Sequence, residues 1–413
     1  MRYRNIRHFC VLICILLTGN AVFAKTDTVR TAAQLYDLCS RGNDTLDIFL
    51  MPGDYHMMAN RDVDTMIEMV GDSHARVPIT YALKITSKYV SIKGSPAYTS
   101  VINTHAGYGL WFVGCENAII EGLVITGGQR DSDSRATNAA IVASNSKLRI
   151  LDNLIFENQG DPKIVMQNMV GIMGVCVREN SYVFLYDNQI ARNSWHGIGV
   201  YRDGAATITG NLIDGVDKAD DEEMGGGRGA GILVTRNGKA TIETNIIKRY
   251  NKGIGIFINA DALISENLIE DVATWGINVW DADSGRPVAR ITRNIIYKTG
   301  ACGTAIIRYL EGKGETGFFT NNIMVETAQN HAYDSPDKYC FQCALAVHAR
   351  PDKFLIEGNI FYKNTWMAPC FTSLDQGMMQ FIETLQTKYS AFPLQWYAGY
   401  SEFIQRFYFY ARK

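Results

Sequence analysis

The chain has 413 residues, 47% of them apolar, and a formal net charge of -2. Thirty-seven glycines stand against only 9 prolines, so this is neither a low-complexity nor a disordered chain. The near-neutral balance argues against a general nucleic-acid binder, which needs a basic surface.

The first segment reads as a signal peptide. Arg2, Arg4, Arg7 and His8 make a basic start, residues 9–17 a short apolar run, and Val22-Phe23-Ala24 a small-residue cleavage site after Ala24. So short a run cannot cross a ~30 Å hydrocarbon layer. No later stretch is apolar and long enough to span. The expectation is a secreted or periplasmic protein without integral membrane contact. Beyond the signal lie Cys39, Cys115, Cys176, Cys302, Cys340, Cys343 and Cys370. Only Cys340 and Cys343 form a CxxC pair, too few for zinc; a disulfide is expected within 302–343 and buried thiols elsewhere.

Residues 28–40, within a 25–45 segment, have helical spacing and are expected to cap the open first coil of the body. The body spans 46–372. From about residue 108 to residue 362 one pattern recurs: Gly-Ile-x-Val, a turn, a second strand, an Asn, and a variable loop. Clear copies are Gly197-Ile198-Gly199-Val200 with Asn211 and Gly231-Ile232-Leu233-Val234 with Asn245. From the last strand residue to the Asn the step is 11 residues at Val142→Asn153, Val177→Asn188, Val200→Asn211, Val234→Asn245 and Ile256→Asn267. Phe112→Leu123 keeps the step without the Asn; later coils stretch it to 15, 15 and 12 at Asn294, Asn322 and Asn359. The Asn-to-Asn distance, in contrast, varies from 22 to 37.

Insertions therefore collect in one loop. An insertion inside a strand would turn its inward residues out, whereas one in a loop costs little. Stacked coils, pairing strand on strand at about 4.8 Å, share one continuous core. The repeated Asn is expected in left-handed backbone at a tight turn, bonded to its neighbour in the next coil. Residues 373–413, with Met378, Phe381, Ile382, Leu385, Phe403, Ile404 and Phe407 at helical spacing, read as a C-terminal helical cap. The expected fold is all-β, a single-stranded right-handed parallel β-helix solenoid with an N-terminal helical cap and a C-terminal helical segment.

These copies resemble the parallel β-helix repeat of the pectate-lyase-like superfamily, carbohydrate-binding proteins and sugar hydrolases. The opening strand, Ile48-Phe49-Leu50-Met51-Pro52-Gly53-Asp54-Tyr55, is similar to that family's strand ending in Pro-Gly-x-Tyr. The resemblance covers roughly residues 45–365 and implies a fold that hosts lyases, epimerases, hydrolases and non-catalytic binders.

Alternation assigns outward positions without coordinates. After the Val come Arg178, Tyr201, Thr235, Phe257, Trp280, Arg308 and His348; before the Gly come Tyr108, Asn138, Met173, His196, Ala230, Lys252 and Trp275. Such aromatic and cationic stripes read either as a sugar-binding floor or as a second core beneath the loops. The resemblance implies catalysis on this face, but no hydrolase signature or Asp-Pro-His motif is present, and Asp161-Pro162-Lys163 is only a partial echo. Position alone nominates His196, Lys252 and Tyr201 as catalytic residues of a lyase or C5-epimerase acting on an acidic, uronate-containing polysaccharide. Arg178, Arg228, Phe257, Trp275, Trp280, Arg308 and His348 are the substrate-binding candidates. The longest loop offers Asp217, Asp220, Asp221 and Glu223 as a candidate Ca²⁺ site. A non-catalytic carbohydrate binder, or a hydrolase using Asp203, Asp281 or Asp283, are the alternatives.

Overall fold

The computed structural model describes residues 26–67, 74–219, 222–282, 285–307, 317–333, 343–347 and 354–365. The expected signal peptide and C-terminal helical cap lie outside the described residues. Three long sheets surround one core. Sheet 1 has 12 strands, from Asp27–Val29 to Leu355–Glu357; sheet 2 has 11, from Gly53–His56 to Ile360–Tyr362. Sheet 3, also of 11 strands, carries the Gly-Ile-x-Val segments. One coil gives one strand to each, as Ile198–Val200, Ala205–Thr209 and Leu212–Asp214 do. Sequential copies pair in parallel, and Ile141, Val175, Ile198, Ile232, Ile254, Ile277, Thr304 and Leu345 form one inward column. The fold is an all-β parallel β-helix.

Helix α1 (Ala32–Ser40) starts at Thr31, whose side chain accepts from the Gln34 amide, and buries Leu35 and Cys39 against the first coils. Burial pushes the thiols of Cys39, Cys115 and Cys176 up, to about 12, 11 and 11, so these are packing groups. Cys302 and Cys343 are buried together in a small outward cluster, while Cys340 and Cys370 lie outside the described residues.

The repeated Asn residues form a buried amide ladder. In Asn188 the backbone N–H donates to Asn211 Oδ1 (3.0 Å) and Nδ2 donates to the same oxygen (2.9 Å) and to Ile150 O (2.8 Å). The pattern runs through Asn153, Asn188, Asn211, Asn245, Asn267, Asn294 and Asn322 to Asn359. Leu123 lacks the amide, and the ladder starts there: its N–H donates to Asn153 Oδ1 at 3.0 Å. The expected hydrogen bond is present, but the left-handed residue is the one before each Asn. Asp152, Asp187, Gly210, Thr244, Glu266, Arg293, Asn321 and Gly358 have φ between 50° and 67°. Turning the chain there frees the Asn to aim its side chain inward along the stack.

One copy departs from the expected alignment. Ala143, not Val142, pairs with Val177 and Phe112. The turn after this strand holds only two residues, Asn145 and Ser146, where the next coil has three. A slip of one exchanges faces, and Val142 points outward.

The sequence pattern also gave no sign of a hairpin. Strand Asn60–Ile67 pairs antiparallel with the first part of His74–Ile85, whose last residues join sheet 3 beside Tyr108–Val113. Met66, Ala75, Val77 and Ile79 pack on the outward face of sheet 3, against Tyr108, Trp111, Val142, Cys176 and Tyr201. For the early coils, then, the outward stripe is a second core.

Replacing Asn211 with Leu should strip two buried donors of Asn188 of their acceptor while keeping the branched shape of the side chain. Each unsatisfied buried donor costs about 1–3 kcal/mol. The urea unfolding curve should show a loss of about 2–4 kcal/mol; unchanged stability would remove the ladder from any role in holding the register.

Candidate functional site

A cleft of about 400 Å³ opens on the outward face of sheet 3 where the hairpin's cover ends. It brings together His196, Tyr201, Lys252 and Phe257, with Trp195 and Arg135 in its walls. One wall is the loop 130–138. Its pin is Arg130, buried, which donates to Val170 O (3.0 Å), Ala136 O (3.1 Å), Ser134 O (3.1 Å) and Asn138 Oδ1. Asp131 ties the same loop to the hairpin, accepting from Thr80 N (3.1 Å) and Oγ1 (2.7 Å). Helix α2 (Pro162–Asn168) backs the wall. Asp161 caps it by accepting from the Lys163 amide at 2.8 Å, so the Asp-Pro-Lys echo is a helix start.

Two glycines make room for the aromatic groups. A Cβ at Gly229 would sit 2.5 Å from His196 Nδ1. A Cβ at Gly199 would sit 2.4 Å from the Tyr201 ring, which folds back over that strand with its hydroxyl on Met173 Sδ at 3.3 Å. Burial holds the Tyr201 phenol well above its ordinary value, so it stays protonated.

His196 is 7% exposed, and its Nδ1 accepts from the Ala230 amide at 2.8 Å. That bond puts the proton of the neutral ring on Nε2. Burial first, then the Lys252 cation, hold the imidazole down at about 3, so it is neutral over the physiological range. Trp195 leans on it with centroids 5.0 Å apart. Lys252 is half-buried; its Nζ lies 2.6 Å from Asn251 Oδ1 and 5.3 Å from the centre of the Trp275 ring. Phe257 and Trp280 meet edge to face at 5.5 Å, continuing the aromatic floor toward later coils.

The other sequence-nominated residues fall elsewhere. Arg178 is buried beneath the hairpin, paired with Asp64 and Glu179 and lying 5.7 Å from the Tyr108 ring centre. It staples the hairpin down, and Tyr108 Oη donates to the same Asp64 at 2.8 Å. Arg228, fully buried, stands behind the Trp195 ring at 5.4 Å and supports the wall. Arg308, His348, Asp220, Asp221 and Asp283 lie outside the described residues. Asp217 pairs with Arg192 (2.5 Å), which also holds Glu157; Glu223 is exposed. Among the described residues no three His, Cys, Asp or Glu side chains converge on a point that would hold an ion. Asp281 is buried and Asp203 exposed. Trp195 and Arg135 were missed because they sit at the ends of variable loops, where the repeat gives no alignment.

Coils of three parallel strands around one apolar core, with an open face lined by rings and cations, define the parallel β-helix class. The chain belongs to the right-handed β-helix family: the model of the right handed beta helix region matches residues 81–220 and 173–361. No curated protein sequence matches it. Among solved structures it is similar to an alginate lyase from Paenibacillus sp. str. FPU-7, at 12% identity over 83% of this chain and 97% of that one, TM-score 0.40. It is similar also to a hyperthermoactive exopolygalacturonase from Thermotoga maritima (8%, 84% and 89%, TM-score 0.45). A third is the periplasmic alginate epimerase AlgG (13%, 70% and 77%, TM-score 0.36). Among the described residues no helix is long and apolar enough to cross a membrane.

The buried imidazole makes a pH prediction. Its folded value of about 3 is below the ordinary 6.5, so between these limits the unfolded chain binds a proton that the folded chain does not. This contribution to stability is complete above pH 6.5 and is lost as pH falls toward 3. The slope is at most about 1.4 kcal/mol per pH unit. His196→Gln should flatten the acid limb of a stability-against-pH curve by that amount; superimposable curves would place the imidazole in water.

Proposed function

We propose that this is a secreted or periplasmic polysaccharide-active protein, a lyase or C5-epimerase acting on a uronate-containing glycan. The observation that supports the reading is that Lys252 and the neutral imidazole of His196 line one cleft with Trp195, Tyr201 and Phe257. Clefts of this size and lining suit a small part of a larger ligand, with rings against apolar sugar faces and a few polar groups fixing orientation.

Both reactions begin by removing the proton beside a uronate carboxylate, and both need a base and a partner for the charge that develops on the carboxylate. His196 is the weaker candidate for the base, because Nδ1 is already accepting and Nε2 holds the proton. Its Nε2–H suits donation to a carboxylate oxygen, with Arg135 at the lip as the cation. Lys252, a cation at rest beside His196, is then the residue to take the substrate proton once it has given up its own. Tyr201, held protonated, suits delivery of a proton to the leaving oxygen in a lyase, or to the opposite face of the ring in an epimerase.

Incubation with alginate, pectate and chondroitin tests this directly, since an unsaturated lyase product absorbs in the ultraviolet and epimerisation changes the proton spectrum of the polymer. Lys252→Met should lower turnover roughly 10²- to 10⁴-fold, the usual contribution of a positioned base, with binding largely retained. Full turnover by that variant would move the base elsewhere. Binding without turnover by the parent would make the protein a carbohydrate-binding β-helix, and reducing ends without absorbance would make it a hydrolase.

A further inference from the structure

We infer that the outer face of sheet 1 carries a second binding site for an acidic polysaccharide, a platform of three rings bracketed by cations. It lies on a different side of the coil from the cleft, which opens on sheet 3. The inference needs no turnover at the cleft and shares with the proposed function only the class of ligand. Strand Tyr182–Tyr186 sets up the platform by alternation. Val183 and Leu185 pack in the inner core, so Tyr182, Phe184 and Tyr186 all stand outward. Tyr182 is 47% exposed and Tyr186 50%. Among the described residues no other strand exposes two large apolar side chains.

The next coil sets only short side chains beside the rings. Ala205, Thr207 and Thr209 are in register with Tyr182, Phe184 and Tyr186. Tyr182 Oη and Thr207 Oγ1 are 3.0 Å apart, a hydrogen bond that ties the first ring to that coil. The Phe184 and Tyr186 rings are parallel to within 8°, with centroids 6.2 Å apart. Outward positions two residues apart lie about 6.6 Å from one another along a strand, so the row covers about 13 Å. That is room for more than one sugar residue. Exposed apolar surface of this kind, gathered in one place, marks a binding surface.

Charge selects the ligand. Lys147 and Arg149, one coil before, are in register with Tyr182 and Phe184, and Lys239 stands two coils after in the row of Tyr182. Other cations of this face are answered: Lys93 by Glu121 at 3.0 Å and Arg290 by Asp261 at 2.6 Å. Lys147, Arg149 and Lys239 make no ion pair among the described residues. A neutral polymer would leave these cations unused. A protein partner would have to bury them, and lysine is depleted at the core of protein interfaces. An acidic glycan uses both features, with its C–H faces on the rings and its carboxylates or sulfates on the cations. A polymer held here is kept near sheet 3 at raised effective concentration.

The test uses the full-length protein on native gels cast with alginate, pectate, chondroitin sulfate or neutral dextran, each read against a polymer-free gel. Light scattering and melting curves accompany it. At least one acidic polymer should retard the parent and dextran should not; alginate or pectate against chondroitin sulfate tells carboxylate from sulfate recognition. The double variant Tyr182→Ser with Tyr186→Ser should weaken the affinity about tenfold. Lys147→Gln with Arg149→Gln should weaken it about fivefold, and should lose most of the parent's salt dependence. Both doubles change outward groups only, so both should melt as the parent does; where the tyrosine double does not fold, the charge double carries the test. Retardation equal to the parent's in both doubles, equal retardation of the parent by dextran, or a parent that no acidic polymer retards would each overturn the platform. So would a dimeric parent that the tyrosine double makes monomeric, which would give the face to a second copy of the chain. Lys252→Met should keep its retardation while losing turnover, and the tyrosine double should keep turnover on short oligomers, so failure at one site is read apart from failure at the other.

Discussion

Everything outward in this protein depends on something buried inward: the column of amides from Asn153 to Asn359. A parallel β-helix has no turn that locks one coil to the next, since successive strands of a sheet are separated by a whole coil. A slip of one residue would cost little in backbone hydrogen bonds but would exchange the two faces of every strand it reached. The ladder removes that freedom. Each Asn from Asn153 to Asn322 gives its backbone N–H and Nδ2 to the oxygen one coil on, and Nδ2 also to carbonyls near it, in Asn245 those of its own turn and the preceding coil. No other register satisfies all of these donors at once. Outward residues such as Lys252 and Trp275 can therefore be read as aligned rows.

The same logic explains how much of the fold was legible in the sequence. The constant step ahead of each Asn and the wandering Asn-to-Asn distance revealed the coil, because strands cannot absorb insertions and loops can. It failed at Val142, where a turn one residue shorter hid behind an unbroken apolar run, Ala139 to Ala143, in which any of several residues fits the inward column. Left-handed backbone was assigned one position late, because the residue before the Asn is chemically varied: Asp, Gly, Thr, Glu and Arg all occupy it. The turn is imposed by the ladder and not by the intrinsic preference of the residue that bends.

The site was legible in a different measure. Positional reasoning placed His196, Tyr201, Lys252 and Phe257 on one face, and they do line one cleft. It also placed Arg178 there, since alternation tells which way a side chain points and not what lies on top of it. The cover comes from residues 60–67 and 74–81, more than a hundred positions earlier in the chain than some of what they bury. The strict alternation of Ala75, Val77 and Ile79 marks that segment as a half-buried strand. Which sheet it lies on is a matter of tertiary structure. Acid loops carried a similar ambiguity: Asp214, Asp217 and Glu157 face arginines of neighbouring coils, pairings that spacing along one loop cannot show.

The hairpin also explains why the cleft is where it is. Met173 and Tyr201 belong both to the second core and to the cleft wall. They stand at the line where the hairpin's reach ends. Below it, outward charges are buried and answered: Arg178 by Asp64 and Glu179, Arg202 by Glu179. Such burial is tolerable only with partners in place. Above the line, Lys252 keeps an open side and the rows turn to Phe257, Trp275 and Trp280. The outward stripe is thus a second core in the early coils and an open face of rings and a cation in the later ones, where a binding floor is proposed. Which coil opens is set by the length of an insertion between the first strands, a segment that takes no part in the repeat. The cleft can therefore move along the helix without disturbing the ladder, because the residues that locate it and the residues that hold the fold are different sets.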